Sequence, residues 1–211
     1  MQNIQKNAGR LSCSFHKIIK MKKKYTDSCR LFVLKSNRKE NQKKMFEVGE
    51  YIVYGCKGVC LIEEITHIDI PGSNKDRLYY VLAPYGDGKG KIYAPTDNEK
   101  VTMRKVITKS EAEQLIKEMP SIEELWVTDE KKRELKYKEA LKTCDYRAWI
   151  SIIKTLYCRK QQRIAQGKKI TSLDERYLKA TENELYSELS LTLGIPKNEM
   201  ERYINERLEV V

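Results

Sequence analysis

The sequence predicts an α+β protein in which a small SH3-like or Tudor-like β-barrel is followed by an all-helical bundle. Three observations predict this class. From Phe46 to Val106, short apolar runs alternate with polar residues and are broken often by turn formers, as in small all-β units. After Val106, apolar residues recur three and four positions apart, which is typical of amphipathic helices. The length of 211 residues also favours two compact units.

The first strands are predicted in residues 45–65, MFEVGEYIVYGCKGVCLIEEI. Glycines interrupt the apolar runs of this segment where a small sheet has to turn sharply. The apolar positions are Val48, Tyr51, Val53, Val59, Leu61 and Ile65, and the glycines are Gly49, Gly55 and Gly58.

The later strands are predicted over residues 61–70, 77–84 and 91–95. The turn-rich segment PGSNKD joins the first two, and the loop YGDGKG precedes the third, KIYAP. This loop lacks the helix and the Lys-Ser/Thr ending of a phosphate-binding loop, so a hairpin turn is favoured. Because Pro95 has no N–H to donate, the strand over residues 91–95 is expected at an edge of the sheet.

Capping signals locate the first helices of the second half. A capping box at Thr108-Lys-Ser-Glu111 predicts a helix that stops at Pro120. A short turn over residues 121–125 and a linker that contains Trp126 follow. The next helix is predicted over residues 129–142, with acidic residues at its positive end.

Three more helices are predicted by caps and by apolar stripes. One begins near Asp145, a second is capped at Ser172-Leu-Asp-Glu175 and ends at Gly194, and a third begins at Pro196. The stripes are Trp149, Ile152, Ile153 and Leu156, then Leu178, Leu185 and Leu189, then Met200, Ile204 and Leu208.

These elements divide the chain into a basic segment (1–44), a barrel (45–106), a helix with a linker (107–128) and a helical domain (129–211). Residues 1–44 show no sustained periodicity. Three interpretations of them stay open: a disordered basic arm that binds nucleic acid, an organellar targeting segment, or a stretch outside the native protein because translation begins at Met45.

The charge of the chain is unevenly distributed. Residues 1–44 contain 13 basic and 2 acidic side chains, which account for the whole net charge of +11. The remainder is neutral, yet residues 129–180 contain 15 basic and 7 acidic side chains. A local surplus is better evidence for a nucleic-acid-binding face than the overall charge.

Residues 146–173 form a candidate DNA-binding face because they contain basic side chains and no Asp or Glu. Clustered ammonium and guanidinium groups neutralise phosphates and bind with little dependence on sequence. Lys154 is expected on the polar side of this helix. A solvated helix surface is the competing interpretation. The basic residues are Arg147, Lys154, Arg159, Lys160, Arg163, Lys168 and Lys169.

The two tryptophans have different predicted roles. Trp149 falls on the apolar face of its helix and is expected in the core. Trp126 lies between an acidic turn and a basic helix start. It is a candidate wedge against a minor-groove base step, or a plug at the junction of the two domains.

Enzymatic activity, metals and cofactors are not expected. His67 is the one histidine after residue 44, and neither a nucleophile motif nor paired metal-ligand spacing occurs. The six cysteines show no CxxC spacing, and no apolar run is long enough to span a membrane. These features predict a cytoplasmic protein with free thiols.

Residues 45 to about 207 resemble the CarD family of bacterial transcription regulators, whose first domain is shared with the transcription-repair coupling factor. Gly-Glu-Tyr-Ile-Val-Tyr, Lys-Gly-Val and an alternating strand open the match. The strand KIYAP with Thr96-Asp97-Asn98, then Lys136-Tyr137-Lys138, and then IIKTLYCRKQQR over residues 152–163 continue it.

The resemblance implies a Tudor-like domain that binds the RNA polymerase β subunit, and a helical domain that contacts promoter DNA at the upstream edge of the transcription bubble. It implies basic DNA contacts at Lys154, Arg159, Arg163 and Arg176, to which the acid-free segment adds Lys160 and the linker adds the candidate wedge Trp126. The polymerase-facing strand would be Lys91, Ile92, Tyr93, Ala94 and Pro95.

The resulting hypothesis is a nucleoid-associated regulator without catalytic activity, which holds polymerase and promoter DNA together and so modulates the stability of open complexes. It involves no membrane and no small-molecule substrate. The alternative is an adaptor whose barrel binds another protein and whose helical bundle mediates oligomerisation.

Overall fold

The computed structural model describes residues 46–68, 76–86, 90–125, 127 and 130–209. The basic segment 1–44 and Trp126 lie outside the described residues, so the interpretations given for them stay predictions.

Five short antiparallel strands form one sheet in the first half of the described chain. The order of strands across the sheet is β4-β3-β2-β1-β5, so β4 and β5 are the edge strands. The α+β class is confirmed, and the edge position expected for the strand that ends in Pro95 is confirmed as well. The strands are β1 (Tyr51–Tyr54), β2 (Val59–His67), β3 (Leu78–Pro84), β4 (Ile92–Pro95) and β5 (Met103–Lys105).

The expectation of a closed barrel is wrong for the described residues. The pairings run from β4 to β5 without a ladder that joins these two edges. Strand β5 has three residues and β4 has four, so each edge offers few main-chain groups for closure. The likeness to SH3 or Tudor domains stays a prediction.

The two faces of the sheet bury different sets of side chains. Along β1, Ile52 belongs to a core that lies within the curved sheet, whereas Val53 belongs to the core of the helices. This alternation follows from the two-residue period of a strand. The core within the sheet consists of Phe46, Ile52, Cys60, Ile62, Tyr80, Leu82 and Ala94.

Five helices form the second half, in agreement with the predicted bundle. Helix α1 has the predicted capping box, in which the Thr108 hydroxyl accepts from the Glu111 N–H and the Glu111 carboxylate accepts from the Thr108 N–H. The helices are α1 (Lys109–Glu118), α2 (Arg133–Lys142), α3 (Tyr146–Ala165), α4 (Ser172–Leu193) and α5 (Met200–Glu209).

Three of the predicted helix boundaries depend on a capping residue. Asp145 caps α3 by accepting from the Arg147 N–H, and Gly194 ends α4 in the left-handed conformation, as predicted. The cap of α4 is Thr171, whose hydroxyl accepts from the Asp174 N–H at 3.1 Å. The prediction of Ser172 was therefore one residue too late.

The helices pack around a core that includes the predicted stripes. Trp149 is buried, as expected, and its indole N–H lies 3.4 Å from the Leu141 carbonyl. Met200, Ile204 and Leu208 place α5 on the same core. No helix in the described ranges is long and apolar enough to cross a membrane.

Candidate functional site

The outer edge of β4 offers main-chain groups to a partner. Thr96 donates its N–H to the Leu78 carbonyl at 3.0 Å, and Tyr93 lies opposite Val81 in the same register. In an antiparallel ladder, hydrogen-bonded and non-hydrogen-bonded pairs alternate. This alternation directs the N–H and C=O of Tyr93 away from β3. The carbonyl of Pro95 is already occupied, since it accepts from Asn98.

Side chains of the predicted polymerase-binding strand divide between the two faces of the sheet. Tyr93 is 52% exposed, and Lys91 forms an exposed ion pair with Glu63 at 3.0 Å, which raises the pKa of the Lys91 amine. Ala94 is fully buried, and Ile92 packs beside it against the core within the sheet. The side chains that a partner could touch are thus Lys91 and Tyr93.

Basic side chains of four segments meet at one end of the bundle, which we call the basic end. The end of α3, the α3–α4 loop and the start of α4 contribute most of them, and the turn before α2 adds two. Lys160 and Arg163 are partly exposed there, and the other members are exposed except for the partly buried Arg159. The basic end consists of Lys131, Lys132, Arg159, Lys160, Arg163, Lys168, Lys169 and Arg176.

A buried aspartate lies beneath the basic end. Asp174 is inaccessible to solvent and stands between two guanidinium groups, with Arg133 Nε at 3.4 Å and Arg159 Nε at 3.6 Å. Both distances exceed that of a good charge-assisted hydrogen bond. The contacts join the starts of α2 and α4 to the second half of α3.

Arg176 and Arg163 are among the members of the basic end that have partners within the protein. Arg176 pairs with Glu134 at 3.0 Å and lies over the Tyr177 ring. Arg163 donates from Nε to the Lys169 carbonyl at 2.7 Å, which ties the end of α3 to the loop that follows it. The exposed ion pair of Arg176 contributes little to stability, because surface pairs are weak.

Lys154 does not belong to the basic end, and its expected position on the polar side of α3 is wrong. The side chain is fully buried and its ammonium group donates to the carbonyls of Met119, Pro120 and Ile122 at 3.1, 3.0 and 2.5 Å. These carbonyls lie where α1 ends, so the positive charge faces the negative end of a helix dipole. Lys154 therefore joins α3 to α1.

Arg104 is a residue that the sequence did not single out. Its guanidinium forms two parallel bonds with Glu188, at 2.5 and 2.7 Å, and donates from Nε to the Cys144 carbonyl at 2.5 Å. Arg104 and Glu188 are separated by 84 positions. No local motif could have indicated this contact between β5 and α4.

Metal-ligating and catalytic groupings are not evident in the part of the chain that the structure describes. No cluster of three or more His, Cys, Asp or Glu side chains there could hold a metal ion. Burial raises the pKa of the Cys60 and Cys144 thiols to about 11, which keeps both thiols protonated near neutral pH.

The sheet edge and the basic end are surfaces of the kind that suit contacts with macromolecules. Residues 46–107 match the model of the CarD-like/TRCF RID domain, so the chain contains a domain of this kind, as the resemblance predicted for its first half. The match ends one residue before the cap of α1. A comparison with curated proteins gave no significant match.

The matched domain defines the function at a coarse level. Domains of this family interact with the β subunit of RNA polymerase, and they are protein-interaction domains that belong to no known enzyme family. The chain is thus a transcription-related protein with an RNA polymerase-interacting domain.

Proposed function

We propose that this protein binds the RNA polymerase β subunit through the outer edge of β4, binds promoter DNA through the basic end, and so modulates the stability of open promoter complexes. The observation that carries the proposal is the edge position of β4 inside a matched polymerase-interacting domain. The DNA-binding part rests on the collected charges of the basic end.

Strand addition is the mode of binding that the β4 edge supports. A strand from the polymerase would bond to the outward N–H and C=O of Tyr93 and so extend the sheet beyond β4. Main-chain bonds of this kind supply affinity, and the side chains of Lys91 and Tyr93 supply specificity on the outer face. The pair between Lys91 and Glu63 also holds the lysine near this edge.

DNA binding through the basic end would depend mainly on phosphates. Exposed Lys and Arg side chains release counterions from DNA and read little sequence. Lys154 is omitted from this surface because it is buried, and Arg159 contributes charge from its position beside Asp174. The wedge role proposed for Trp126 would act from the linker that precedes α2.

The two contacts would reinforce each other. A phosphate-based contact is weak and unspecific alone, whereas attachment to polymerase raises the local concentration of the basic end at the promoter. A regulator of this kind needs no catalytic group. It stabilises the open complex by the difference between its binding free energies for the open and the closed complex.

The polymerase contact can be tested by Tyr93→Pro in the full chain. This change removes the outward N–H while the bonds between β3 and β4 remain, since Tyr93 lies in a non-hydrogen-bonded pair. We expect binding to a fragment that contains the polymerase β lobe to fall by at least about tenfold, as for the loss of a bond of about 1.4 kcal/mol or more.

Tyr93→Ala is the matched control, because it keeps the N–H and removes the exposed ring. If only the proline variant loses affinity for the β-lobe fragment, the main-chain N–H provides the affinity. If both variants lose the same affinity, the tyrosine ring provides it. DNA binding should be unchanged in both variants. Equal polymerase affinity for folded Tyr93→Pro and for the parent would rule out the edge and favour the adaptor alternative.

A further inference from the structure

The sheet and the helical bundle share one hydrophobic core. Val53 from β1 and Val59 from β2 belong to the same buried cluster as Trp149 from α3 and Leu189 from α4. Ile107, which follows β5, is also a member. Close-packed side chains from both halves resist sliding because any shift opens voids or produces overlaps.

A second contact brings the β1–β2 turn against α4. Gly58 has φ of 72°, and a Cβ built on it would lie 2.3 Å from Glu184 Oε2. Only glycine both adopts this backbone conformation readily and leaves room for the carboxylate. The turn and α4 are therefore in van der Waals contact.

Arg104 lies at the centre of the junction between the two halves. From β5 it reaches Glu188 on α4 with two bonds and the Cys144 carbonyl between α2 and α3 with a third. Its guanidinium also lies 5.7 Å from the centres of the Tyr146 and Trp149 rings. One side chain thus contacts two helices and the turn between α2 and α3, in directions that the planar guanidinium fixes.

Helix α4 also binds the segment that connects the sheet to the bundle. Glu188 Oε1 accepts from the Ile107 N–H at 2.9 Å, and the Thr192 hydroxyl donates to the Ile107 carbonyl at 3.0 Å. Both polar groups of Ile107 are therefore bonded to α4. The connection can turn only if these bonds break together with those of Arg104.

From these contacts we infer that Arg104 is a positioning residue, which fixes the orientation of the β4 edge relative to the basic end. The inference rests on the proposed function. With this orientation fixed, docking of β4 on the polymerase puts the basic end at one place relative to the DNA. The second contact then gains the full effective concentration that a rigid connection of the right geometry provides.

Arg104→Lys is the variant that tests this role. Lysine keeps the positive charge beside Glu188 but cannot form two parallel bonds and a third bond at the same time. Arg77→Lys is the matched control, because Arg77 forms its ion pair with Asp97 on the exposed surface of the sheet. Each variant is compared with the parent as the full chain.

Four quantities are measured: affinity for the polymerase β-lobe fragment, affinity for promoter DNA, retention on the assembled polymerase–promoter complex, and small-angle X-ray scattering of the free chain. For Arg104→Lys we expect both single affinities to stay within about twofold of the parent and retention on the assembled complex to fall about tenfold. Scattering should show a broader distribution of distances. Arg77→Lys should match the parent in all four.

Unchanged scattering and unchanged retention for folded Arg104→Lys would overturn the inference. If Arg104→Lys does not fold, Thr192→Val is used instead, because it removes one bond to Ile107 at nearly constant volume. We then expect a smaller fall in retention on the assembled complex and a smaller broadening of the scattering distances. No change in either quantity would again overturn the inference. If the parent itself binds neither polymerase nor DNA, the proposed function fails. Scattering of the variants then decides whether Arg104 holds the two halves in a fixed orientation.

Discussion

At the scale of residues, Lys154 shows how a lysine can be buried at acceptable cost. A buried ammonium group needs compensation, and here three carbonyls near the end of α1 provide it. The same carbonyls gain a donor that the helix itself cannot supply. Lys154 and the end of α1 therefore satisfy each other.

Replacement of Lys154 by methionine should destabilise the protein. The apolar chain would fill much of the space, but three carbonyls would lose their donor, so we expect a loss of about 2–3 kcal/mol in the free energy of unfolding. Urea denaturation measures this loss. Lys160→Met is the control at a partly exposed site and should cost less than about 0.5 kcal/mol. A larger cost at Lys160 than at Lys154 would contradict the assigned roles.

Two glutamates of α4 should make stability depend on pH. Burial raises the pKa of Glu184 to about 7, with Glu188 adding to the effect and Lys197 opposing it, and burial likewise raises that of Glu182 to about 7. A carboxyl group with a raised pKa binds its proton more tightly in the folded state. Stability is therefore lost as pH rises from about 4.5, the ordinary value, towards 7 and slightly above.

The measurement is the free energy of unfolding at several pH values between 4 and 8. Glu184→Gln should make the decline over this window shallower, because one of the two titrating groups is gone. Glu199→Gln, in an ion pair with Arg202 on the surface, is the control. A decline that is equally steep in Glu184→Gln and in the parent would show that this carboxyl does not titrate as expected.

At the scale of elements, the helices were predictable where their signals are local. The Thr108 capping box, the Asp145 cap and Gly194 each act within a few residues, so the sequence alone locates them. The cap of α4 was misplaced by one position because Thr171 and Ser172 both have a hydroxyl group. Only the backbone conformation, extended at Thr171, decides between them.

The basic end combines elements that are distant in sequence, and its prediction was correspondingly incomplete. The acid-free segment located the end of α3 and the following loop. Lys131 and Lys132 were not predicted as members of the basic end. Their position near α3 depends on how α2 packs, which the ion pair between Arg133 and Asp174 helps to fix. Helical periodicity also misplaced Lys154, since a buried lysine is rare enough that the polar face is the default expectation.

Phosphate binding by the basic end predicts a specific response to salt. Replacing Lys160, Arg163 and Arg176 together with glutamine should flatten the slope of log affinity against log salt by roughly one unit per lost contact, on unrelated DNA sequences alike. Fluorescence anisotropy over a salt series measures the slope. Replacing Arg77 and Lys105, which belong to the sheet half, with glutamine is the control and should leave the slope unchanged. An unchanged slope in the folded triple variant would leave the basic end as a solvated surface.

At the scale of the whole molecule, the shared core joins parts that the sequence suggested were separate. Val53 and Val59 lie within the matched domain, yet their side chains pack among residues of the helices. Strand alternation predicts that they face away from Ile52 but does not say what covers them. The same packing helps to explain why the sheet is open. The helices cover one apolar face of the sheet, so the sheet does not need to close into a barrel to bury that face.

A continuous core predicts that the described sheet and helices unfold together. We expect a single thermal transition, with the calorimetric enthalpy equal to the van't Hoff enthalpy. Resolved nuclear magnetic resonance signals of the strand residues, which report on the sheet, and far-ultraviolet circular dichroism, which reports mainly on the helices, should give the same midpoint. Two separated midpoints would mean that the contacts of Val53, Val59 and Arg104 contribute little to stability.

The free edge of β4 also bears on self-association. An unpaired edge that can accept a polymerase strand can in principle accept the same edge of a second molecule and start an aggregate. Strand β4 limits this hazard by being four residues long, by ending in a proline that donates no hydrogen bond, and by following a charged lysine. A partner must therefore add side-chain contacts to bind well.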